Sequence, residues 1–375
     1  MTRKSPHGIA FGVGRIAGID VFIDLSAIVI VALIAWVMAN ALPTLEAGYS
    51  SAAYWSVGVI GSLLFVVALF AHELSHSFVA RRRGITVRDI TLWMLGGIAT
   101  IEGEPNSAND ELAVAIAGPL TSFAIGAAFL VAGMLGSTID LPRLLVAGLV
   151  WLGTMNIILA VFNLIPAAPL DGGRVLAAFL WRQHGDRLRA ARSAARAGRY
   201  FAWFLFAVGI TEMLGGAGVS GIWSVLLGWF ILGAAAAEEE RATVESELSG
   251  VRIGALMTPD PIVAPDSITV DEFLDRYVAS RRCTSFPVTH DGSIVGLATL
   301  ARCRALDPRR RAGTSVCDVA WPLTDVPIAR PDDLVVDVLH RGISGGDGRI
   351  LVFEGDRLVG IVSPSDVARV LAPAS

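Results

Sequence analysis

Charge is what this chain has least of. Only 17% of its 375 residues are Asp, Glu, Lys or Arg, against 54% hydrophobic, and the mean hydropathy is +0.61. That scarcity excludes a chain that is soluble throughout and places part of it in a membrane. A net charge of −4 offers no basic surface to a polyanion, so no nucleic-acid partner is expected. Cysteine is nearly missing as well. Cys283, Cys303 and Cys317 stand at unrelated spacings, without a metal-ligand pattern, and suit reduced thiols in a cytosolic domain. The start also lacks a short apolar core with a small-residue cleavage site, so it reads as an uncleaved spanning segment rather than a leader.

What is present divides unevenly along the chain. Residues 1–237 carry the long apolar runs, 238–250 read as a linker, and 251–372 read as an ordinary soluble α/β sequence. Six spans are expected, at about 22–42, 52–80, 110–136, 142–165, 198–214 and 219–237, each near the ~20 residues that a bilayer demands. Between the second and third, "GITVRDITLWMLGGIATIEG" alternates like strands around a double glycine, which predicts a hairpin at the membrane edge. Arg3, Lys4, Arg15, Arg81–Arg83 and the arginine-rich segment 174–199 fall on one side. The opposite loops hold a single arginine between them, so both termini are expected in the cytosol.

Against that apolar background, "AHELSH" needs a reason. Charged or metal-binding groups in hydrocarbon are costly unless they face a partner or a cavity. His72 and His76 stand at i and i+4, so both imidazoles share one helix face and can reach one metal ion, with Glu73 beside them to take a proton from water. Counting back from Arg81, His72 lies about 13 Å inside the cytosolic boundary. Zinc suits two imidazoles plus a carboxylate. The clearest third ligand is Asp171 in "NLIPAAPLDGGR", where Pro166 and Pro169 break a helix and Gly172 and Gly173 permit a tight turn. Two alternatives stand beside that reading: Asp171 as a helix N-cap, and His184 as a substitute ligand.

Together, "AHELSH" on one spanning helix and "FNLIPAAPLDGG" on a later one resemble the site-2 protease family of intramembrane zinc metalloproteases. The similarity covers about residues 8–235. "MLGGIA" (94–99) matches the hairpin that the family places near its active site, and "AGPL" matches a further signature, although Ser122 stands where many members have asparagine. The resemblance implies one zinc ion held by His72, His76 and Asp171, with Glu73 as general base. A tetrahedral oxyanion then needs a hydrogen-bond donor beside zinc, for which Asn163 is the candidate and Asn156 the weaker one. The implied substrate is a single-span regulatory membrane protein, such as an anti-sigma factor; the Arg- and Ala-rich composition without targeting elements suits a prokaryotic plasma membrane.

The soluble part repeats itself. "PIVAPDSITVDEFLDRY" resembles "VPIARPDDLVVDVLHRG", and Gly296 and Gly360 set a period of 64 residues. The two units, about 251–305 and 315–372, resemble tandem CBS domains, which implies clefts for AMP, ADP or ATP and association into a homodimer. In the family pattern a Ser or Thr followed by Asp meets the ribose and phosphates. Ser363 and Asp366 fit it in the second unit. The first has Thr299, with Arg302 where the aspartate would stand. The expected fold is therefore a polytopic α-helical membrane domain with an edge hairpin, followed by a soluble α/β tandem CBS domain. The alternative function is a CBS-regulated transporter or channel whose histidines and carboxylates line an ion path; inverted repeats, which would favour it, are not evident among the six spans.

Overall fold

In the computed structural model, residues 2–5, 8–16, 18–93, 96–103, 105–278, 283–340 and 345–371 are described. Their contacts form two units, Met1–Thr243 and Val244–Ser375. In the first, strands β1 (Thr2–Ser5), β2 (Gly8–Ile16) and β3 (Ile19–Asp24) precede helices α1 (Ala27–Leu45) and α2 (Ser51–Arg82). The chain continues through β4 (Thr86–Trp93), β5 (Gly96–Glu102), α3 (Ala108–Thr138), α4 (Arg143–Asn163), α5 (Asp171–His184), α6 (Arg187–Leu214) and α7 (Gly218–Leu248).

The expected hairpin is β4–β5, although Met94 and Leu95 lie outside the described residues. It belongs to a larger sheet of order β1-β2-β3-β4-β5, in which β3 runs parallel to β4. The three N-terminal strands correct the expectation that the first span begins near residue 22. "IDVFID" begins with buried Ile19 and Val21 separated by half-buried Asp20, as in a strand, and pairs along its length with β2 and β4, while α1 starts only at Ala27. Asp24 closes that strand by accepting hydrogen bonds from the Ser26 amide and hydroxyl, at 2.9 and 2.7 Å.

Among the described residues, five helices are long and apolar enough to cross a membrane: α1, α2, α3, α4 and α7. The remaining expected span, 198–214, is the second half of α6, whose first half carries Arg187, Arg189, Arg192 and Arg196. The segment expected as a basic loop after the fourth span is thus largely helical. Gly185 ends α5 in the left-handed conformation at φ 72°, and Asp186 caps α6 by accepting from the Arg189 amide. Large apolar side chains such as Leu64, Val67, Leu120, Met134 and Trp229 stay exposed on these helices, as lipid-facing surfaces require.

The helices approach closely where side chains are smallest. A Cβ on Gly126 of α3 would come within 2.9 Å of the Gly153 carbonyl of α4. Ser107 caps α3, and Asp110 in its first turn accepts from Arg83 at 3.0 Å, which ties the end of α2 to the start of α3.

The second unit contains two four-stranded sheets, each built on one hairpin: Ser285–Thr299 in the first repeat and Ile350–Val362 in the second. Asp291 and Gly292, at φ 47° and 83°, make the first hairpin's two-residue turn, as the Asp-Gly pair predicts. The repeats also exchange strands. Thr258–Pro259, at the start of the first, pairs with Ile361 and Gly360 of the second. Trp321–Pro322, its counterpart in the second repeat, pairs with Leu297 and Gly296 of the first. Leu297 and Ile361 then meet in a core shared with Val326 and Leu351. Leu248 is buried with Ile253, Val335 and Val352 in a second core of this unit. Cys283 and Cys317 are exposed free thiols, whereas burial pushes the Cys303 thiol up to about 11 and leaves it unreactive.

Replacing Gly126 by Val is expected to separate α3 from α4 and destabilise the membrane unit by about 1–3 kcal/mol. A lowered thermal midpoint in detergent would register it.

Candidate active site

The centre is assembled by three elements. His72 and His76 project from α2 and are 2% and 6% exposed inside the bundle. Asp171 is the first residue of α5, and its carboxylate presents one oxygen to each ring, 3.2 Å from His72 Nε2 and 3.3 Å from His76 Nε2. The two Nε2 atoms are 3.2 Å apart. Leu170, not Asp171, occupies the N-cap position and makes no side-chain cap, so the capping alternative for Asp171 falls away. His184 is exposed at the far end of α5 against the Leu180 carbonyl, so it does not join the group.

The outer ring nitrogens decide what the inner ones are. His76 Nδ1 lies 2.7 Å from the Val114 carbonyl oxygen, which only accepts; Nδ1 therefore carries the proton and Nε2 turns a lone pair inward. That lone pair faces a carboxylate oxygen and a second imidazole nitrogen. A second proton on the ring would relieve one such contact, whereas a cation relieves all of them. The separations also fit a metal: a tetrahedral zinc with arms of ~2.0–2.1 Å has ligand-to-ligand edges of ~3.3 Å. His72, His76 and Asp171 thus form a metal-fitting group, and it is the group of this kind found among the described residues.

Clearance around the group comes from absent side chains. A Cβ on Gly118 of α3 would lie 2.5 Å from His72 Nε2 and would overlap His76 Nε2. A Cβ on Gly97 of β5 would overlap the side chain of Glu73. Gly172 and Gly173 do not serve the tight turn that the sequence suggests. They lie within α5, where Leu164–Ala168 folds back so closely that a Cβ would strike the carbonyls of Leu164 and Ile165 or the backbone of Ala167 and Ala168. Gly198 of α6 admits the Ala168 carbonyl from the other side. One turn beyond the ligand, Arg174 pairs with Glu111 of α3 at 2.8 Å and clamps α5 to α3.

Glu73 is half-buried beneath β5. Asn163 is the half-buried last residue of α4 and makes no hydrogen bond to the His72–His76–Asp171 group. Asn156 is fully buried; its amide donates to Leu152 O, while its own oxygen has no partner. The sequence reading missed Val114 and Ser122 as partners of the rings. Val114, Gly118 and Ser122 stand at i, i+4 and i+8 on α3, opposite His72 and His76, so a stripe search on α3 would have found them. In the second unit Thr299 donates to the Asp347 carboxylate, and Ser363 donates through its amide and hydroxyl to Asp366, at 2.9 and 2.6 Å. Arg302 lies 4.2 Å over the Trp321 ring.

A helical membrane unit with this buried His-His-Asp group and an adjoining glutamate defines a membrane-embedded metallopeptidase. Comparison with known proteins agrees. The description "Peptidase family M50" matches residues 60–143 and 136–205, and "CBS domain" matches 253–306 and 316–373. Rip3 of Mycobacterium tuberculosis, whose name describes a zinc metalloprotease, is 43% identical over 96% of this chain and 93% of its own. A zinc metalloprotease of Methanocaldococcus jannaschii is 30% identical over 85% of this chain and 86% of its own. Among solved structures, a site-2 protease from Methanocaldococcus jannaschii aligns at 28% identity over 61% of this chain and 95% of that one, with a TM-score of 0.41. The chain belongs to peptidase family M50, the site-2 protease family, and is a multi-pass intramembrane metalloprotease with a tandem CBS domain. The transporter or channel alternative is set aside by that membership. The family implies zinc, and the donor set fits it.

The two glycines separate binding from turnover. Gly118→Ala is expected to abolish zinc uptake, read by metal analysis of the purified protein. Gly97→Ala should leave zinc in place and cut turnover by on the order of 10²-fold, because it displaces Glu73 by about an ångström.

Proposed function

We propose that this enzyme hydrolyses peptide bonds within or near the membrane-spanning segment of regulatory membrane proteins, with His72, His76 and Asp171 as the zinc ligands and Glu73 as the general base. The observation that carries this is the convergence of Asp171 on both inner imidazole nitrogens beside Glu73. Zinc, when bound, supplies a Lewis acid and a water of lowered pKa. Glu73 takes the proton of the attacking water and returns it to the departing amine nitrogen. Asn163 donates a hydrogen bond to the developing oxyanion once substrate is seated; its place at the end of α4, just before the loop that leads to Asp171, supports this role.

Substrate enters as an added strand. A helical segment keeps its carbonyls in internal hydrogen bonds, so it must unwind before attack. Among the described residues strand β5 is the last in its sheet order, and the Gly97 position packs on Glu73, so that edge of the sheet runs beside the base. With the second half of α6 as a sixth crossing, the arginines at the end of α2 and along α5 and the first half of α6 support an orientation with both termini in the cytosol of a prokaryotic plasma membrane.

The CBS pair serves as a cytosolic adenine-nucleotide sensor, with the ribose at Ser363 and Asp366. Asp366 is 6% exposed and already receives two hydrogen bonds from Ser363, which supports a preformed acceptor. Thr299 is the weaker position because Arg302, which lies over the Trp321 ring, stands where the aspartate would be.

Glu73→Gln is expected to retain zinc and lose cleavage of a membrane-spanning reporter in proteoliposomes, whereas Asp171→Asn should weaken zinc binding itself. Full cleavage by Glu73→Gln would sink the mechanism. For the sensor, calorimetric titration of the detergent-solubilised chain with AMP, ADP and ATP should give heats that Asp366→Ala removes. Silence from the unaltered chain would leave the CBS pair a structural module.

A further inference from the structure

Both imidazoles of the centre have their outer nitrogens held by α3, but by groups of different kinds. His76 Nδ1 meets the Val114 carbonyl at 2.7 Å, a backbone group that no substitution removes and that only accepts. His72 Nδ1 meets Ser122 Oγ at 2.9 Å. Ser122 is fully buried, and this contact is its hydrogen bond among the described residues. A hydroxyl accepts or donates. If it donated, the His72 proton would sit on Nε2 and point into the middle of the group, where Asp171 and His76 already converge. If it accepts, His72 takes the same tautomer as His76 and both inner nitrogens are free to ligate.

We infer that Ser122 is the positioning residue for His72: its hydroxyl accepts the Nδ1–H and holds the ring with an unprotonated Nε2 aimed at the metal position. The inference rests on the zinc centre proposed above and extends it to a side chain on a third helix. Geometry carries it. Ser122, Gly118 and Val114 stand on one stripe of α3, so the helix that clears space for the metal at Gly118 also supplies the outer partner of each ring. An apolar residue at 122 would leave the Nδ1–H of a buried ring unpaired and free the ring to rotate about χ2.

The test compares the full-length wild type with Ser122→Ala and Ser62→Ala in detergent. Ser62 is an equally buried serine on α2 whose hydroxyl donates to the Val59 carbonyl, nearly three helical turns before His72, and it controls for loss of a hydroxyl from the bundle. Zinc affinity is read by competition with a chromophoric chelator, and ligand geometry by the visible absorption of the cobalt-substituted protein. Ser122→Ala is expected to weaken zinc 10–100-fold, roughly the range for lost outer partners of metal-bound histidines, and to alter the cobalt bands, while Ser62→Ala leaves both as in the wild type. Wild-type affinity and bands in Ser122→Ala would overturn the inference. So would equal losses in the two variants, since truncation of any buried serine would then suffice. A wild type that takes up no zinc would sink the centre itself, and this inference with it.

Discussion

Three electron-pair donors pressed against one another inside an apolar bundle are the constraint on which the membrane unit depends. Two imidazole nitrogens and a carboxylate lie 3.2–3.3 Å apart, an arrangement that repels itself without a cation. Holding it requires rigid walls on every side. Helix α2 supplies both rings from one face, α3 satisfies their outer nitrogens, and α5 begins at the ligand itself. The Arg174–Glu111 pair and the fold-back of Leu164–Leu170 fix α5 against its neighbours. The loop is less a connection than a wedge that sets where Asp171 points.

The second unit shows a related economy. Each repeat lends a short strand to the other's sheet, and Leu297 meets Ile361, one period away, in a common core. Neither repeat is complete alone. A ligand seated in one would therefore act on a sheet that the other helps to build, which is a mechanical basis for responding as a pair.

Much of the centre was legible in the sequence because its signals are short-range or chemically rare. The i, i+4 histidines announce a shared face, and an aspartate followed by two glycines after two prolines is conspicuous among apolar helices. The repeat and its Asp-Gly turn were readable for similar reasons. What escaped reading depends on non-local pairing or on backbone. "IDVFID" merges into the apolar run behind it, and its strand character arises from β4, more than sixty residues on. A helix carbonyl such as that of Val114 carries no residue-type signature. Gly172 and Gly173 were noticed for the wrong physical cause: their conformation is helical, and what they provide is room. Asn163 was named because an oxyanion needs a hydrogen-bond donor, and it stands as the last residue of α4, just before the loop that leads to Asp171.

The glycines at 97, 118, 172, 173 and 198 give the centre an asymmetric mutational landscape. Around most buried sites substitutions subtract atoms, and neighbours relax into the gap. Here the vulnerable direction is addition, and the smallest step available, a single methyl, already meets a ring nitrogen, the base or a carbonyl. Substitution of the lipid-facing surface meets no such obstacle, whereas at these five positions any side chain meets a neighbour within 2.5 Å. The catalytic space is therefore inherited as a spacing between backbones, and its shape changes only when whole helices move.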